Sequence, residues 1–93
     1  MRFRYIKYFL VLCDERNFTR AANHCGITQP SLTNAIKRLE DLFGGSLFDR
    51  TRKSNSLAKP TPLALVIKPY FERAHLAWDV AQRRANKRIK TKH

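Results

Sequence analysis

The sequence predicts a mainly α-helical domain with a small β-wing, arranged as a winged helix-turn-helix followed by a long linker helix. Two amphipathic segments meet at the turn Gly26-Ile27-Thr28, a basic stretch separates two short apolar runs, and an apolar stripe continues along the rest of the chain. The 93 residues have room for one domain with a modest core. We expect the winged helix-turn-helix to span residues 1–60, and the linker and dimerisation helix with its basic tail to span residues 61–93.

Apolar spacing predicts the first two helices. Between residues 3 and 15 one helical face is traced by Phe3, Ile6, Phe9, Leu10 and Cys13. Asn17 or Thr19 is expected to cap the second helix, because a short side-chain oxygen can accept a hydrogen bond from a free amide of the first turn. Gly26 is expected to end this helix. Its buried face is predicted to be Phe18, Ala21, Ala22 and Cys25.

A polar first turn, Thr28-Gln29-Pro30-Ser31, opens the third predicted helix. Thr28 is a good N-cap, and Pro30 loses nothing in this turn because the amides there have no partner within the helix. The small residues Ala21 and Ala22 allow a close crossing of the second and third helices, as a helix-turn-helix requires. The third helix is expected to stop at Gly44-Gly45 after burying Leu32, Ala35, Ile36, Leu39 and Phe43.

The wing is predicted from two apolar pairs, Leu47-Phe48 and Leu57-Ala58. We interpret them as short strands joined by the polar and basic loop of residues 50–56. Thr61-Pro62 then starts the last helix, with Thr as the N-cap and Pro at the first helical position. Pro69 is expected to kink this helix or to end its first segment.

The last helix carries an apolar stripe that is too long to be buried on so small a domain. We therefore expect a homodimer in which this helix pairs with its own copy. The alternative is a shorter helix folded back on the core of its own domain. The predicted dimer interface consists of Leu63, Val66, Ile67, Tyr70, Phe71, Ala74, Ala77, Trp78 and Ala81.

The charge of the chain points to a polyanionic partner. Lys and Arg number 19 against 7 Asp and Glu, which gives a formal net charge of +12. DNA, RNA or an anionic membrane surface would compensate this charge, and a merely soluble basic protein is the plain alternative. No apolar run approaches the roughly 20 residues of a transmembrane span. The start of the chain also lacks the cleavage site of a signal peptide.

We accordingly expect a cytoplasmic protein without a membrane partner. The cysteine usage agrees with this location. Cys13 and Cys25 do not form a C-x-x-C pair and both lie at apolar helical positions. We expect both to be reduced core residues rather than a disulfide or metal ligands.

Four blocks of the sequence carry a family resemblance: residues 17–22 (NFTRAA), 27–33 (ITQPSLT), 36–40 (IKRLE), and Gly44 with residues 47–50 (LFDR). In this order and spacing they resemble the N-terminal domain of LysR-type transcriptional regulators, over residues 1 to about 80. The resemblance implies a sequence-specific regulator that binds double-stranded DNA at an interrupted inverted repeat, as a dimer of antiparallel linker helices. Members usually continue into a metabolite-sensing domain, which is absent here, so we expect no small-molecule effector in this chain.

The sequence departs from the family pattern at several positions. Asn17 stands where serine is usual, Cys25 where leucine is usual, and Asn34 where arginine is frequent. The loop between Arg50 and Thr61 is longer than the usual spacing. The chain is either a fragment of a longer regulator or a naturally short protein, and the sequence does not choose between them.

The third helix is expected to lie in the major groove of DNA with its first turn toward the base edges. Gln29 is the first candidate for direct readout, since its amide can pair bidentately with adenine, and Pro30 can meet a thymine methyl group. The other candidates on this helix are Thr28 and Ser31 for a phosphate at the helix N-terminus, Thr33 and Asn34 for bases or phosphates, and Lys37 and Arg38 for phosphates. The plain alternatives are that Thr28 is only a cap and that Gln29, Lys37 and Arg38 are solvated surface residues.

Candidates outside the third helix lie in the wing and in the second helix. Arg52, Lys53 and Ser54 are expected to meet the adjacent minor groove or backbone. Arg20 is a candidate phosphate contact. Arg50 is expected to form an ion pair with Glu40 that fixes the wing to the third helix.

Enzyme activity is not expected, because the sequence contains no triad, no paired carboxylates and no glycine-rich phosphate loop. No cofactor or metal is expected either, since the adjacent His24 and Cys25 supply only two ligands. Two alternatives remain to the sequence-specific regulator. One is a non-specific DNA- or RNA-binding basic protein, and the other is an interaction module whose long helix docks a protein partner.

Overall fold

The computed structural model describes residues 2–49 and 57–91, with side chains as far as residue 87. The elements are α1 (Arg4–Glu15), α2 (Phe18–Cys25), α3 (Gln29–Phe43), β1 (Phe48–Asp49), β2 (Lys59–Pro60) and α4 (Pro62–Thr91). This is the predicted winged helix-turn-helix with a long final helix, so the fold class is confirmed. None of the described helices combines the length and the apolar character that crossing a membrane requires.

The helix ends follow the predicted capping chemistry. The side chain of Asn17 accepts a hydrogen bond from the amide of Arg20 at 2.9 Å, and that of Thr28 accepts from the amide of Ser31 at 3.2 Å. Gly26 and Gly44 end α2 and α3 with φ angles of +70° and +72°, which glycine adopts without steric cost. The turn between α2 and α3 is therefore set by local sequence.

The wing strands lie farther along the chain than predicted. β1 and β2 pair antiparallel in the register Phe48↔Pro60 and Asp49↔Lys59. Leu57 instead forms an isolated bridge with Asn17, and the amide of Ala58 donates to the carbonyl of Arg16 at 3.0 Å. The second apolar pair is thus held against the α1–α2 turn rather than against β1, which moves the strand two residues downstream.

An aromatic cluster forms the centre of the core. The ring centroid of Phe9 lies 5.6 Å from that of Phe48 and 5.1 Å from that of Phe71. Phe18 and Phe43 extend the cluster at 6.4 Å from Phe48 and 5.8 Å from Phe71. Edge-to-face contacts of this kind add to the free energy of burial. The cluster joins α1, α2, β1, α4 and the end of α3.

The first half of α4 packs on its own domain, which corrects part of the predicted dimer interface. Ile67 and Phe71 are buried in the core, and Leu63 and Ala74 pack against it. The ring of Trp78 lies 4.8 Å from that of Phe3. Leu63, Ile67, Phe71 and Ala74 therefore stabilise the fold of one chain, because this part of α4 packs against α1. Trp78 is 47% exposed, and its place in a dimer interface stays a prediction. Pro69 does not end α4, which runs through it.

The two cysteines are free, and they differ in burial. Cys13 is buried, whereas Cys25 is only half-buried. Desolvation by burial raises the pKa of the Cys13 thiol to about 11 and also raises the pKa of Cys25. Both thiols are thus held neutral and poorly nucleophilic at physiological pH.

Candidate nucleic-acid interface

The exposed side of α3 presents most of the predicted contact residues together. Its buried side is made by Leu32, Ala35, Ile36 and Leu39, which have almost no solvent exposure. Thr33 is half-buried between the two sides. The structure exposes the side chains of Gln29, Pro30, Ser31, Asn34, Lys37 and Arg38 on this one helix.

The first turn of α3 is organised by Thr28. Its hydroxyl accepts from the Ser31 amide and donates to the Ser31 hydroxyl oxygen at 2.8 Å. Both hydrogen-bonding functions of Thr28 are therefore used inside the protein, which supports its role as a cap. The hydroxyl hydrogen of Ser31 remains available to an external acceptor. Gln29, the first residue of the helix, is exposed beside this ordered turn.

The candidates outside α3 are only partly described. Arg20 is exposed in the first turn of α2. Arg50, Arg52, Lys53 and Ser54 lie outside the described residues. Their expected contacts with DNA, and the expected ion pair of Arg50 with Glu40, stay predictions.

Glu40 has a structural role through partners other than Arg50, the partner predicted from the sequence. Its carboxylate accepts a hydrogen bond from the buried amide of Leu47 at 2.8 Å and one from the hydroxyl of Ser46 at 3.4 Å. Thr61 donates its hydroxyl to the Ser46 carbonyl at 2.7 Å and accepts from the amide of Ala64 in the first turn of α4. This chain of contacts ties the end of α3 to the base of the wing and to the start of α4.

Glu40→Ala is expected to lower the free energy of unfolding by about 1–3 kcal/mol, because it leaves the buried Leu47 amide without its charged acceptor. Chemical denaturation monitored by circular dichroism measures the change. Asp41→Ala is the matched control, since Asp41 is the exposed neighbouring acid and its removal is expected to change stability by at most about 0.5 kcal/mol. Equal effects of the two variants would contradict the assigned role of Glu40.

A second surface of note is the outer face of α4, which we define as the exposed side chains on the helix side opposite to Ile67 and Phe71. Among the predicted interface residues it retains Val66. Tyr70 and Ala77 are exposed along its border, and Ala81 is exposed farther along the helix, in line with Leu63. Three large apolar side chains that the sequence reading did not include are also exposed: Leu65, Leu76 and Val80. Their exposure ranges from 36% for Val80 to 59% for Leu76, which is unusual for large aliphatic residues grouped on one helix.

Comparison with known proteins agrees with this arrangement of helix-turn-helix, wing and long helix. Residues 3–65 match the family described as bacterial regulatory helix-turn-helix protein, lysR family. The chain belongs to the LysR family. The match spans α1 to the start of α4, so it includes the capped first turn of α3 and the Glu40 contacts.

Individual relatives are regulators of this family type. The HTH-type transcriptional regulator BudR of Klebsiella aerogenes is 46% identical over 59 residues, which are 63% of this chain and 41% of BudR. The DNA-binding transcriptional dual regulator OxyR of Escherichia coli K12 is 40% identical over 53 residues, or 57% of this chain and 17% of OxyR. The chain thus spans less than half the length of either protein.

Solved structures of proteins in complex with DNA superpose closely on this LysR-family chain. The BenM DNA-binding domain in complex with catB site 1 DNA has a TM-score of 0.77 and 32% identity, with all of both chains covered. DarR of Vibrio fischeri in complex with DNA has a TM-score of 0.82 and 26% identity over 97% of this chain and 30% of DarR. The chain is therefore an N-terminal DNA-binding domain of the LysR type.

Proposed function

We propose that this domain regulates transcription by binding double-stranded DNA sequence-specifically as a homodimer, with one α3 in the major groove at each half of an interrupted inverted repeat. The observation that carries the proposal is the exposed first turn of α3, which is polar and rigidly capped. A helix that reads bases must present side chains of fixed position, because base-edge hydrogen bonds discriminate only when donor and acceptor are aligned. The Thr28–Ser31 contacts supply that order beside Gln29.

The charge distribution supports DNA as the partner. From residue 16 to residue 39 the sequence contains no Asp or Glu, and Arg16, Arg20, Lys37 and Arg38 are exposed within it. Exposed cations in a segment without acids can neutralise phosphates and release counterions. In this proposal Gln29 reads a base, Asn34 contacts a base or a phosphate, and Lys37, Arg38 and Arg20 bind phosphates. Arg52, Lys53 and Ser54 are proposed to reach the adjacent groove or backbone.

The outer face of α4 supports the homodimer. Five large apolar side chains of α4 are exposed: Leu65, Val66, Tyr70, Leu76 and Val80. The other side of the same helix is buried in the core through Ile67 and Phe71. A second copy of the helix, packed antiparallel, would cover this apolar surface and place two copies of α3 in a two-fold arrangement. Two-fold symmetry of the protein requires two-fold related half-sites in the DNA.

Selection from a pool of random-sequence DNA duplexes tests the proposal. Duplexes retained by the chain are sequenced after several rounds, and we expect two inverted half-sites separated by about one or two helical turns of 10 base pairs. The net charge of +12 favours a second candidate, a basic protein that binds nucleic acid without reading bases. Retained duplexes without a shared motif would contradict the proposal and support that candidate.

A further inference from the structure

We propose that the groove between α1 and α3 is a second DNA contact, which holds the sugar-phosphate backbone along one border of the major groove. This α1–α3 groove is lined by Arg2, Arg4, Tyr5, Tyr8, Ile27, Ser31, Asn34 and Arg38. The inference rests on the proposed function, which places α3 in the major groove of DNA. Its addition is that the first residues of the chain belong to the DNA-binding surface.

The composition of the α1–α3 groove selects an anionic occupant. Three of its lining residues are arginines and none is an acid. Within the described residues, the guanidinium groups of Arg2, Arg4 and Arg38 have neither an ion-pair nor a hydrogen-bond partner. Three unpaired cations that line one groove repel each other, and a bound anion would relieve that repulsion. Guanidinium groups also match phosphate oxygens with paired donors.

The side walls of the groove supply neutral hydrogen-bond donors. Tyr5 and Tyr8 form one wall with stacked rings whose centroids are 6.1 Å apart. On the opposite wall the hydroxyl of Ser31 has its hydrogen available, and the amide of Asn34 is exposed. Hydroxyl and amide groups of this kind are common donors to phosphate and sugar oxygens of DNA.

The shape of the groove is compatible with a length of DNA backbone. It has a volume of about 360 Å³, runs between two helices and is open to solvent. A continuous strand can therefore enter and leave it.

The position of the groove on α3 determines which part of the DNA it meets. Ser31, Asn34 and Arg38 follow one another at spacings of three and four residues, so they lie on one flank of the helix. Gln29, Thr33 and Glu40 lie on the other flank, toward the wing base that Glu40 contacts. An α-helix about 10–12 Å wide fills a major groove about 12 Å wide, so each flank faces one bordering strand. The α1–α3 groove therefore meets the strand on the side away from the wing.

The salt dependence of binding to a random-sequence duplex of about 30 base pairs tests this inference, because it counts phosphate contacts without requiring sequence readout. For the double variant Arg2→Gln/Arg4→Gln we expect the slope of log K against log salt to fall by about 1–2 for each bound protomer, which is about 2–4 for the dimer, with an affinity loss of at least about 10-fold near physiological salt. Arg2→Lys/Arg4→Lys keeps the charges and is expected to retain most of the slope. Fluorescence anisotropy measures both.

Lys7→Gln/Lys68→Gln is the matched control, since these two cations line a different groove, between α1 and α4, together with Asp14 and Glu72. It is expected to leave the slope within about 0.5 of the unmodified chain. An unchanged slope for Arg2→Gln/Arg4→Gln, or an equal loss in the control, would overturn the inference. Neither result would contradict the proposed sequence-specific binding, because that proposal is tested separately by the ratio of the affinities for the selected and the shuffled duplex.

Discussion

Gln29→Ala is expected to weaken binding to the selected duplex by about 1–3 kcal/mol, which is roughly 5- to 150-fold in affinity. Gln29 is exposed in the first turn of α3, and the Thr28–Ser31 contacts fix that turn. Its amide can donate to and accept from one adenine edge, and alanine can do neither. Binding to a shuffled duplex is expected to change little, because phosphate contacts dominate there.

Fluorescence anisotropy titrations on the selected and shuffled duplexes measure both effects of Gln29→Ala. Gln82→Ala is the matched control, since Gln82 is an exposed glutamine on α4, far along the helix from α3. It is expected to bind both duplexes as the unmodified chain does. A parallel loss of affinity on both duplexes would show that Gln29 does not read a base.

Val66→Glu is expected to convert the dimer into a monomer and to weaken binding to a duplex with both half-sites by about 100-fold. Val66 is 64% exposed on the outer face of α4, so the substitution leaves the core of the domain intact. In a paired helix the carboxylate would be buried without a partner, which is strongly unfavourable. In the dimer, binding of one domain holds the second domain close to its half-site, which raises the overall affinity. A monomer loses this advantage.

Sedimentation equilibrium measures the mass of this variant, and a titration on a duplex with a single half-site measures the binding of one domain. Single-site affinity is expected to be unchanged by Val66→Glu. Asn86→Glu is the control, because it adds the same charge to α4 at an exposed position that lies outside the outer face. A variant that remains dimeric, or an unmodified chain that is monomeric at high concentration, would contradict the assigned interface.

The predictions that the structure confirms depend on residues close together in sequence. Asn17, Thr28, Gly26 and Gly44 act on amides and carbonyls within one helical turn, so residue type and spacing were enough to place α2 and α3. The exposed polar turn of α3 could be predicted for the same reason. Four of the five buried positions predicted for α3 follow directly from the helical period, whereas the prediction for Phe43 is wrong, because this last residue of the helix is 43% exposed.

The features that sequence reasoning missed depend on contacts between distant segments. The period of α4 identifies an apolar stripe, but only the position of α1 decides that Phe71 packs on Phe9 while Val66 remains exposed. The wing register likewise depends on the bridge between Asn17 and Leu57. The hydrogen bond from the Leu47 amide to Glu40 could not be predicted from the sequence, because nearly every residue has a backbone amide that could be the donor.

The central claim is that this LysR-family domain distinguishes one DNA sequence from another through α3. Its most direct test is a pair of anisotropy titrations at one physiological salt concentration, on the selected duplex and on a shuffled duplex of the same length and composition. We expect the selected duplex to bind about 1,000-fold more tightly, a ratio typical of specific recognition at the low end. Equal affinity for the two duplexes would contradict the claim and leave only the charge of the domain to explain its binding.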